Sequence, residues 1–240
     1  MPVISRNDLP HDFSQQVHAV LEPLADPNKA DWMSAYMRGQ FPFLGIPKPL
    51  RSRATGPLIA ACKDHPAADL LKIAGALWHM KEREYLYIGA NLLDRHAGAI
   101  SLGDLSGLFK LALQKSWWDS IDRLASTVNT IVFRERKDPA SQAAMDRLLE
   151  NPDPWLRRIA MIHQLGWREQ TDQKRLFRYA RRLGGTREFF LQKAAGWALR
   201  DYARCNPDAV MKFVEEHHHS LSALTAREAV KSCLPRKSTN

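Results

Sequence analysis

The sequence predicts an all-α protein. Apolar residues recur at three- and four-residue intervals almost throughout the 240 residues, and runs of strict two-residue alternation, which half-buried strands would need, are essentially missing. Repeated helix-start signals divide the chain into about a dozen helices of roughly 10–18 residues, joined by short turns. Short turns imply that neighbouring helices run antiparallel.

Four helix starts share one local pattern, an acidic or amide residue followed by proline. The first residue can accept hydrogen bonds from free backbone N–H groups, and proline suits the first helical position, where no donor is needed. The pairs are Asp26-Pro27, Asp138-Pro139, Asp153-Pro154 and Asn206-Pro207.

Glycines and one capping box mark further boundaries. Gly103 and Gly107 predict a junction between helices, and Gly184-Gly185 predicts the end of a basic helix. Thr225, with Glu228 three residues later, predicts a capping box at the start of the last helix.

Helix pairs that recur every 35–45 residues or so are typical of a HEAT-like solenoid. The expected fold is therefore all-α, a right-handed superhelical solenoid of HEAT-like antiparallel helix pairs. We expect a single domain over residues 1–240, with fraying at 1–8 and 235–240. The repeat is inferred from helix pairing, since the pairs share little residue-level similarity.

Composition excludes several classes of protein. The 45% hydrophobic and 25% charged residues are ordinary for a folded protein, and 35 Lys and Arg against 26 Asp and Glu leave a net charge of +9. That surplus favours a polyanion such as nucleic acid. No stretch is apolar for long enough to cross a bilayer, the N-terminus lacks a signal peptide, and the widely separated Cys62, Cys205 and Cys233 read as free thiols. We expect a cytoplasmic monomer.

Residues 115–122 (KSWWDSID) are the most informative segment, because they set two indoles and two carboxylates within two helical turns. In a helix, Trp118 and Asp122 share one face, whereas Asp119 lies off it. A π-face and a carboxylate together attract a cation. The alternative is that the tryptophans are core and the carboxylates solvated.

Basic charge is concentrated between Arg157 and Arg204, where twelve Lys and Arg face four acids. Aromatic residues are interleaved with these cations, a mixture that suits contact with phosphates and bases. Within the stretch, Lys193, Trp197 and Arg200 fall at i, i+4 and i+7, on one helix face. The alternative is that the aromatics are core and the cations cover the outer surface.

Several segments together resemble the AlkD family of bacterial DNA alkylation-repair glycosylases. They occur in the family's order, and the resemblance extends from about residue 29 to residue 231. The segments are 33–38 (MSAYMR), 43–46 (FLGI), 115–122 (KSWWDSID), 155–158 (WLRR), 188–200 (EFFLQKAAGWALR) and 224–229 (LTAREA).

The resemblance implies a HEAT-like superhelix that holds duplex DNA and, in base excision repair, hydrolyses the N-glycosidic bond of cationic N3-alkyladenine and N7-alkylguanine without base flipping. Trp118 and Trp197 match the family's lesion-contacting tryptophans, and Asp122 matches its essential carboxylate. The predicted DNA-contacting residues are Tyr36, Lys115, Arg158, Lys193 and Arg200. One departure is Pro47, where the family pattern has glutamine, which puts any polar contact there in doubt.

Two other functions stay open from the sequence: a non-catalytic HEAT-like DNA-binding protein, and a self-resistance glycosylase for bulky natural-product adducts. The first predicts loss of Trp118, Asp122 and Trp197, and all three are present. We expect no metal and no cofactor. The triplet at 217–219 (HHH) has no supporting Cys/His spacing, and neither a Walker-type loop nor a GxSxG motif occurs.

Overall fold

The computed structural model describes residues 8–233, in which thirteen α-helices and no β-strands occur, so the all-α prediction is confirmed. The predicted fraying at 1–8 and 235–240 falls outside the described residues except at Asp8. The helices are α1 (Leu9–Leu21), α2 (Pro27–Tyr36), α3 (Lys48–Ala61), α4 (Ala67–His79), α5 (Arg83–Arg95), α6 (Leu105–Ala112), α7 (Trp118–Arg134), α8 (Pro139–Leu149), α9 (Pro154–Ile162), α10 (Gln173–Gly184), α11 (Phe189–Tyr202), α12 (Pro207–Glu216) and α13 (Ala223–Ala229).

Contacts between residues divide the chain into two compact units, with the boundary between Thr127 and Val128, inside α7. The first unit contains α1 to α6 and the start of α7. The second contains the rest of α7 and α8 to α13. A single repeat domain and a right-handed superhelix stay predictions.

In the first unit, α4 packs along α5, and helices two apart along the chain also pack together: α1 with α3, α3 with α5, and α4 with α6. The apolar faces of α4 and α5 supply much of its core. Leu70, Ile73 and Leu77 from α4, and Ile88 and Leu92 from α5, have no exposed surface.

The second unit repeats this packing around α11, which contacts α9, α10 and α13. Small residues let α13 approach α11 closely. A Cβ atom on Gly196 would lie 2.5 Å from the Cβ of Glu228, so only glycine fits there. Pairing of consecutive helices, with contact between helices two apart, is the packing of a solenoid of helix pairs.

All four predicted N-caps are confirmed. The side chains of Asp26, Asp138, Asp153 and Asn206 each accept a hydrogen bond from a backbone N–H in the first turn of their helix. Each is followed by proline at the first helical position, so the local pattern alone determined these helix starts.

Two boundary predictions are wrong. The cap of α13 is Ser222, which accepts from the N–H of Thr225, whereas the buried Thr225 hydroxyl donates to the carbonyl of Gly184. Gly107 lies inside α6, not at a junction, and a Cβ there would be 2.8 Å from the side chain of Leu71. The predicted end of α10 at Gly184-Gly185 is confirmed.

None of the helices within residues 8–233 is long and apolar enough to cross a membrane. The three cysteines are free, as expected.

Candidate active site

Trp118 is the first residue of α7, and Asp122 lies one turn further along the same helix. Both line a cavity of about 480 Å³ in the first unit. The structure thus brings together the indole and the carboxylate that the four-residue spacing placed on one face. Both side chains are only partly buried, so a ligand in the cavity can reach them.

Asp119, which the spacing places off the Trp118–Asp122 face, also lines this cavity. Its carboxylate is 7% exposed and accepts from Nε and Nη2 of Arg83, at 3.0 and 2.7 Å. The Tyr87 hydroxyl donates to it at 2.5 Å. Burial and the charge of Asp119 raise the pKa of Tyr87, so this hydroxyl stays protonated and the Asp119 carboxylate is held by fixed donors.

Arg83 also fixes the chain that enters α7. Its guanidinium is 1% exposed and donates to the carbonyl of Lys115 at 2.6 Å and to the hydroxyl of Ser120 at 3.0 Å. Lys115 has a positive φ of 49°, an uncommon conformation for a residue with a side chain, and its carbonyl accepts the bond from Arg83. Arg83 donates hydrogen bonds to Lys115, which precedes Trp118, and to Asp119 and Ser120, which follow it. Arg83 therefore fixes the backbone that carries the Trp118 indole.

The ammonium group of Lys115, predicted to contact DNA, donates to the carbonyl of Met80. Partial burial and then the charge of Arg83 lower the pKa of Lys115. Contact between Lys115 and a phosphate stays a prediction.

Glu84, next to Arg83, holds the segment that resembles the family's FLGI motif. Its buried carboxylate accepts from the N–H groups of Leu44, Gly45 and Ile46, at 2.9, 2.9 and 3.1 Å. Three donors on one carboxylate rigidify this irregular backbone, which lies between α2 and α3.

Gly45 is required because the segment presses against the start of α2. Its φ is +84°, and a Cβ there would lie 2.0 Å from the carbonyl oxygen of Asp26. The N–H of Asp26 donates to the carbonyl of Leu44 at 2.9 Å. Pro47, the departure from the family pattern, caps α3 and has no polar side chain to offer a ligand.

The predicted DNA-contacting residue Tyr36 is the last residue of α2 and meets Trp118 edge to face, with ring centroids 6.3 Å apart. Its other neighbour is Trp32, stacked on it at 5.8 Å and 15°. Sequence reasoning did not single out Trp32. The signal was present, since Trp32 and Tyr36 have the same four-residue spacing as Trp118 and Asp122.

In the second unit, Lys193, Trp197 and Arg200 lie along α11, where Glu228 of α13 organises the two cations. Its carboxylate is 3.4 Å from Lys193 Nζ and 2.7 Å from Arg200 Nη1. Lys231 joins the same carboxylate at 2.5 Å, and its hydrogen bond is the main cause that lowers the pKa of Glu228. Three cations on one carboxylate leave a positive surplus beside Trp197, which suits a phosphate.

Arg158, predicted to contact DNA, is 5% exposed and donates from Nη1 to the carbonyl of Phe190 at 2.6 Å. Little of its guanidinium can therefore reach a phosphate. Its direct contact with DNA stays a prediction.

Much of the remaining basic stretch serves the second unit itself. Arg175 and Arg178 pair with Asp146, and Arg182 pairs with Glu150. Among the aromatics, Trp167 and Tyr179 are buried core residues. Arg175, Arg178 and Arg182 of α10 are thus ion-paired within the second unit, whereas the predicted DNA-contacting residues Lys193 and Arg200 lie on α11.

The predicted catalytic residues fall in both units: Trp118 and Asp122 in the first, Trp197 in the second. Their action on one substrate stays a prediction. Within the described residues, no group of three His, Cys, Asp or Glu side chains could hold a metal ion.

Comparison with known proteins identifies relatives. The family model for DNA alkylation repair enzymes matches residues 17–233. Among solved structures, a protein described as a predicted DNA alkylation repair enzyme from Enterococcus faecalis is 32% identical and has a TM-score of 0.81, covering 86% of this chain and 95% of that one. A search of the curated proteins finds no match.

Proposed function

The chain belongs to the family of DNA alkylation repair enzymes, and on that premise we propose that it is a DNA glycosylase. Its substrates are N3-alkyladenine and N7-alkylguanine in duplex DNA, and its reaction is hydrolysis of the N-glycosidic bond during base excision repair. The observation that carries the proposal is the pair of Trp118 and Asp122 on one cavity.

A cationic lesion can leave the sugar with little catalytic assistance from the enzyme. Alkylation at N3 or N7 leaves the purine positively charged, so it departs as a neutral base without a general acid. As the bond breaks, positive charge develops on the deoxyribose. One carboxylate about 4 Å away stabilises that charge by about 4 kcal/mol at an effective dielectric near 20, roughly a thousandfold in rate.

Asp122 suits this role better than Asp119. The Asp119 carboxylate already accepts two bonds from Arg83 and one from Tyr87, which neutralise and fix it. Asp122 is partly exposed on the same cavity, where it can face the sugar and orient the attacking water. The π-face of Trp118 adds attraction for the cationic sugar, and Trp197 is proposed to do the same.

The walls of the cavity support excision without base flipping. An extruded base is normally stacked between aromatic or apolar faces in a pocket. Here the ring of Tyr87 is covered by the guanidinium groups of Arg51 and Arg123, at 4.8 and 4.7 Å. Of the two aromatic side chains that line the cavity, Trp118 is then the one whose ring can contact the substrate. One aromatic ring cannot sandwich an extruded base, but it can contact one side of a deoxyribose.

The test is to incubate the purified protein with methylated duplex DNA and to identify the released bases by mass. Release of N7-methylguanine and N3-methyladenine is expected, with no effect of chelator. Uracil and hypoxanthine should stay in the DNA, because they leave as anions unless protonated and an ionised Asp122 would repel them. Efficient uracil release would contradict the single-carboxylate mechanism, and no release of any alkylated base would favour a non-catalytic DNA-binding protein.

A further inference from the structure

Trp32 and Tyr36 form an exposed aromatic pair on α2. Their side chains are 67% and 63% exposed, and the two rings stack at 5.8 Å and 15°. Among the described residues, these are the most exposed large hydrophobic side chains. A stacked pair of rings left in solvent is not core packing, and it is an unusual use of two large apolar residues.

The pair is continuous with the candidate active site. Tyr36 meets the indole of Trp118 edge to face at 6.3 Å, so Trp32, Tyr36 and Trp118 form one aromatic series that ends at the cavity. Trp32 is the outermost member, and its indole has the largest exposed fraction of the three.

The pair is also held in place. Helix α2 has no buried residue, and its N-terminal end is held by hydrogen bonds. There, Asp26 caps the helix and its own N–H bonds to Leu44, whose N–H is in turn held by Glu84. A fixed aromatic surface loses little conformational entropy when a ligand binds to it.

We propose that Trp32 is a nucleotide-contacting residue, whose indole packs on a deoxyribose of the DNA backbone next to the lesion. Contact with the backbone sugar tolerates any sequence because every nucleotide of the duplex carries the same deoxyribose. Cations for the flanking phosphates are near in the chain: Arg38 and Lys48 are exposed and form no ion pair with any described residue. Lys48 also lines the cavity of Trp118 and Asp122.

A second copy of the chain is the other candidate occupant. A stable protein interface buries about 800 Å² on each partner. The side chains of Trp32 and Tyr36 alone would bury a much smaller area. The charged Arg38 and Lys48 beside them would also disfavour an apolar contact between two copies.

The inference rests on the proposed function in taking DNA as the ligand and the lesion as its reference point, and the DNA contact itself is tested with unmodified duplex, for which no base release is needed. Trp32→Ala should weaken the affinity for a fluorescent duplex by roughly tenfold, and Trp32→Phe by less. The slope of affinity against salt should not change, since an uncharged contact with a sugar releases no counterions. Met211→Ala, which removes a 44% exposed side chain in the second unit, is the matched control and should bind as the wild type does.

An otherwise unmodified duplex carrying 5-iodouracil gives a direct readout, because illumination should crosslink it to the peptide that contains Trp32. Affinity within twofold of the wild type for Trp32→Ala, with no crosslink at Trp32, would overturn the inference. So would a Trp32-dependent dimer in sedimentation, which would assign the surface to a second copy. Absence of base release by the wild type would contradict the proposed function and leave these binding results interpretable.

Discussion

Arg83 and Asp119 form a buried two-point ion pair at the start of α7, with Nε–Oδ2 and Nη2–Oδ1 distances of 3.0 and 2.7 Å. Asp119 lies between Trp118 and Asp122 in the chain, and Glu84, the residue after Arg83, holds the segment against which α2 is docked. Two adjacent residues of α5 thus fix the start of α7, which carries Trp118 and Asp122, and the segment that holds α2.

Asp119→Ala should lower the free energy of unfolding by about 3–5 kcal/mol, because it leaves the buried Arg83 guanidinium without its counter-charge. Urea unfolding of the two proteins measures this difference. Asp122→Asn, one turn away and partly exposed, is the matched control and should change stability much less. Equal stability of Asp119→Ala and the wild type would mean that the ion pair does not hold α7.

Because His163 is buried, we expect the free energy of unfolding to decrease in mild acid. Complete burial lowers its pKa from 6.5 to about 4, with Asp146, Asp172 and Arg175 as the nearby charges. The unfolded chain therefore takes up the proton first as the pH falls below 6.5. Stability is complete above that pH and falls toward pH 4, by about 2 kcal/mol between pH 7.5 and pH 5.

His163→Gln tests this, since glutamine can still donate to the carbonyl of Ala160, the partner of Nδ1, but does not titrate. Unfolding free energies at pH 7.5 and 5 should differ less in the variant than in the wild type. The same difference in both proteins would show that other groups cause the pH dependence.

Lys193→Ala should weaken DNA binding and reduce the slope of log affinity against log salt by about one contact. The measurement is affinity for a short duplex across a salt series. Arg182→Ala removes one charge from α10, where Arg182 pairs with Glu150, and should leave the slope unchanged. If Arg182 changes the slope and Lys193 does not, the DNA lies along α10.

Arg158→Ala was expected from the sequence to lose one phosphate contact as well. Arg158 is 5% exposed and donates to the carbonyl of Phe190, so it also supports the fold. The variant leaves that carbonyl without this donor and should therefore have a lower free energy of unfolding than the wild type. Lys193 is the cleaner probe of phosphate contact.

Local signals in the sequence predicted local structure well. Asp26, Asp138, Asp153 and Asn206 are caps because a cap depends on the two or three residues that follow it. Thr225 has the same kind of signal, but its hydroxyl bonds to Gly184, 41 residues earlier in the chain, and Ser222 takes the cap. A preference that a distant partner overrides is invisible in a local pattern.

The same limit applies to the candidate site. The spacing of Trp118 and Asp122 placed them on one face, which a helix guarantees. The roles of Arg83 and Glu84 depend on partners 32 to 40 residues away, which no periodicity reveals. Trp32 could be predicted in part. Its four-residue spacing from Tyr36 is visible in the sequence, but its exposure depends on the fold.

The central claim is that the Asp122 carboxylate stabilises the developing sugar cation, and Asp122→Asn tests it most directly. The single-turnover rate of N7-methylguanine release from duplex DNA should fall roughly a hundredfold or more, because the amide is similar in shape but carries no charge. Circular dichroism and urea unfolding should show an intact fold, since the carboxylate lies partly exposed on the cavity. A folded Asp122→Asn variant that releases the base at close to the wild-type rate would remove Asp122 from the mechanism.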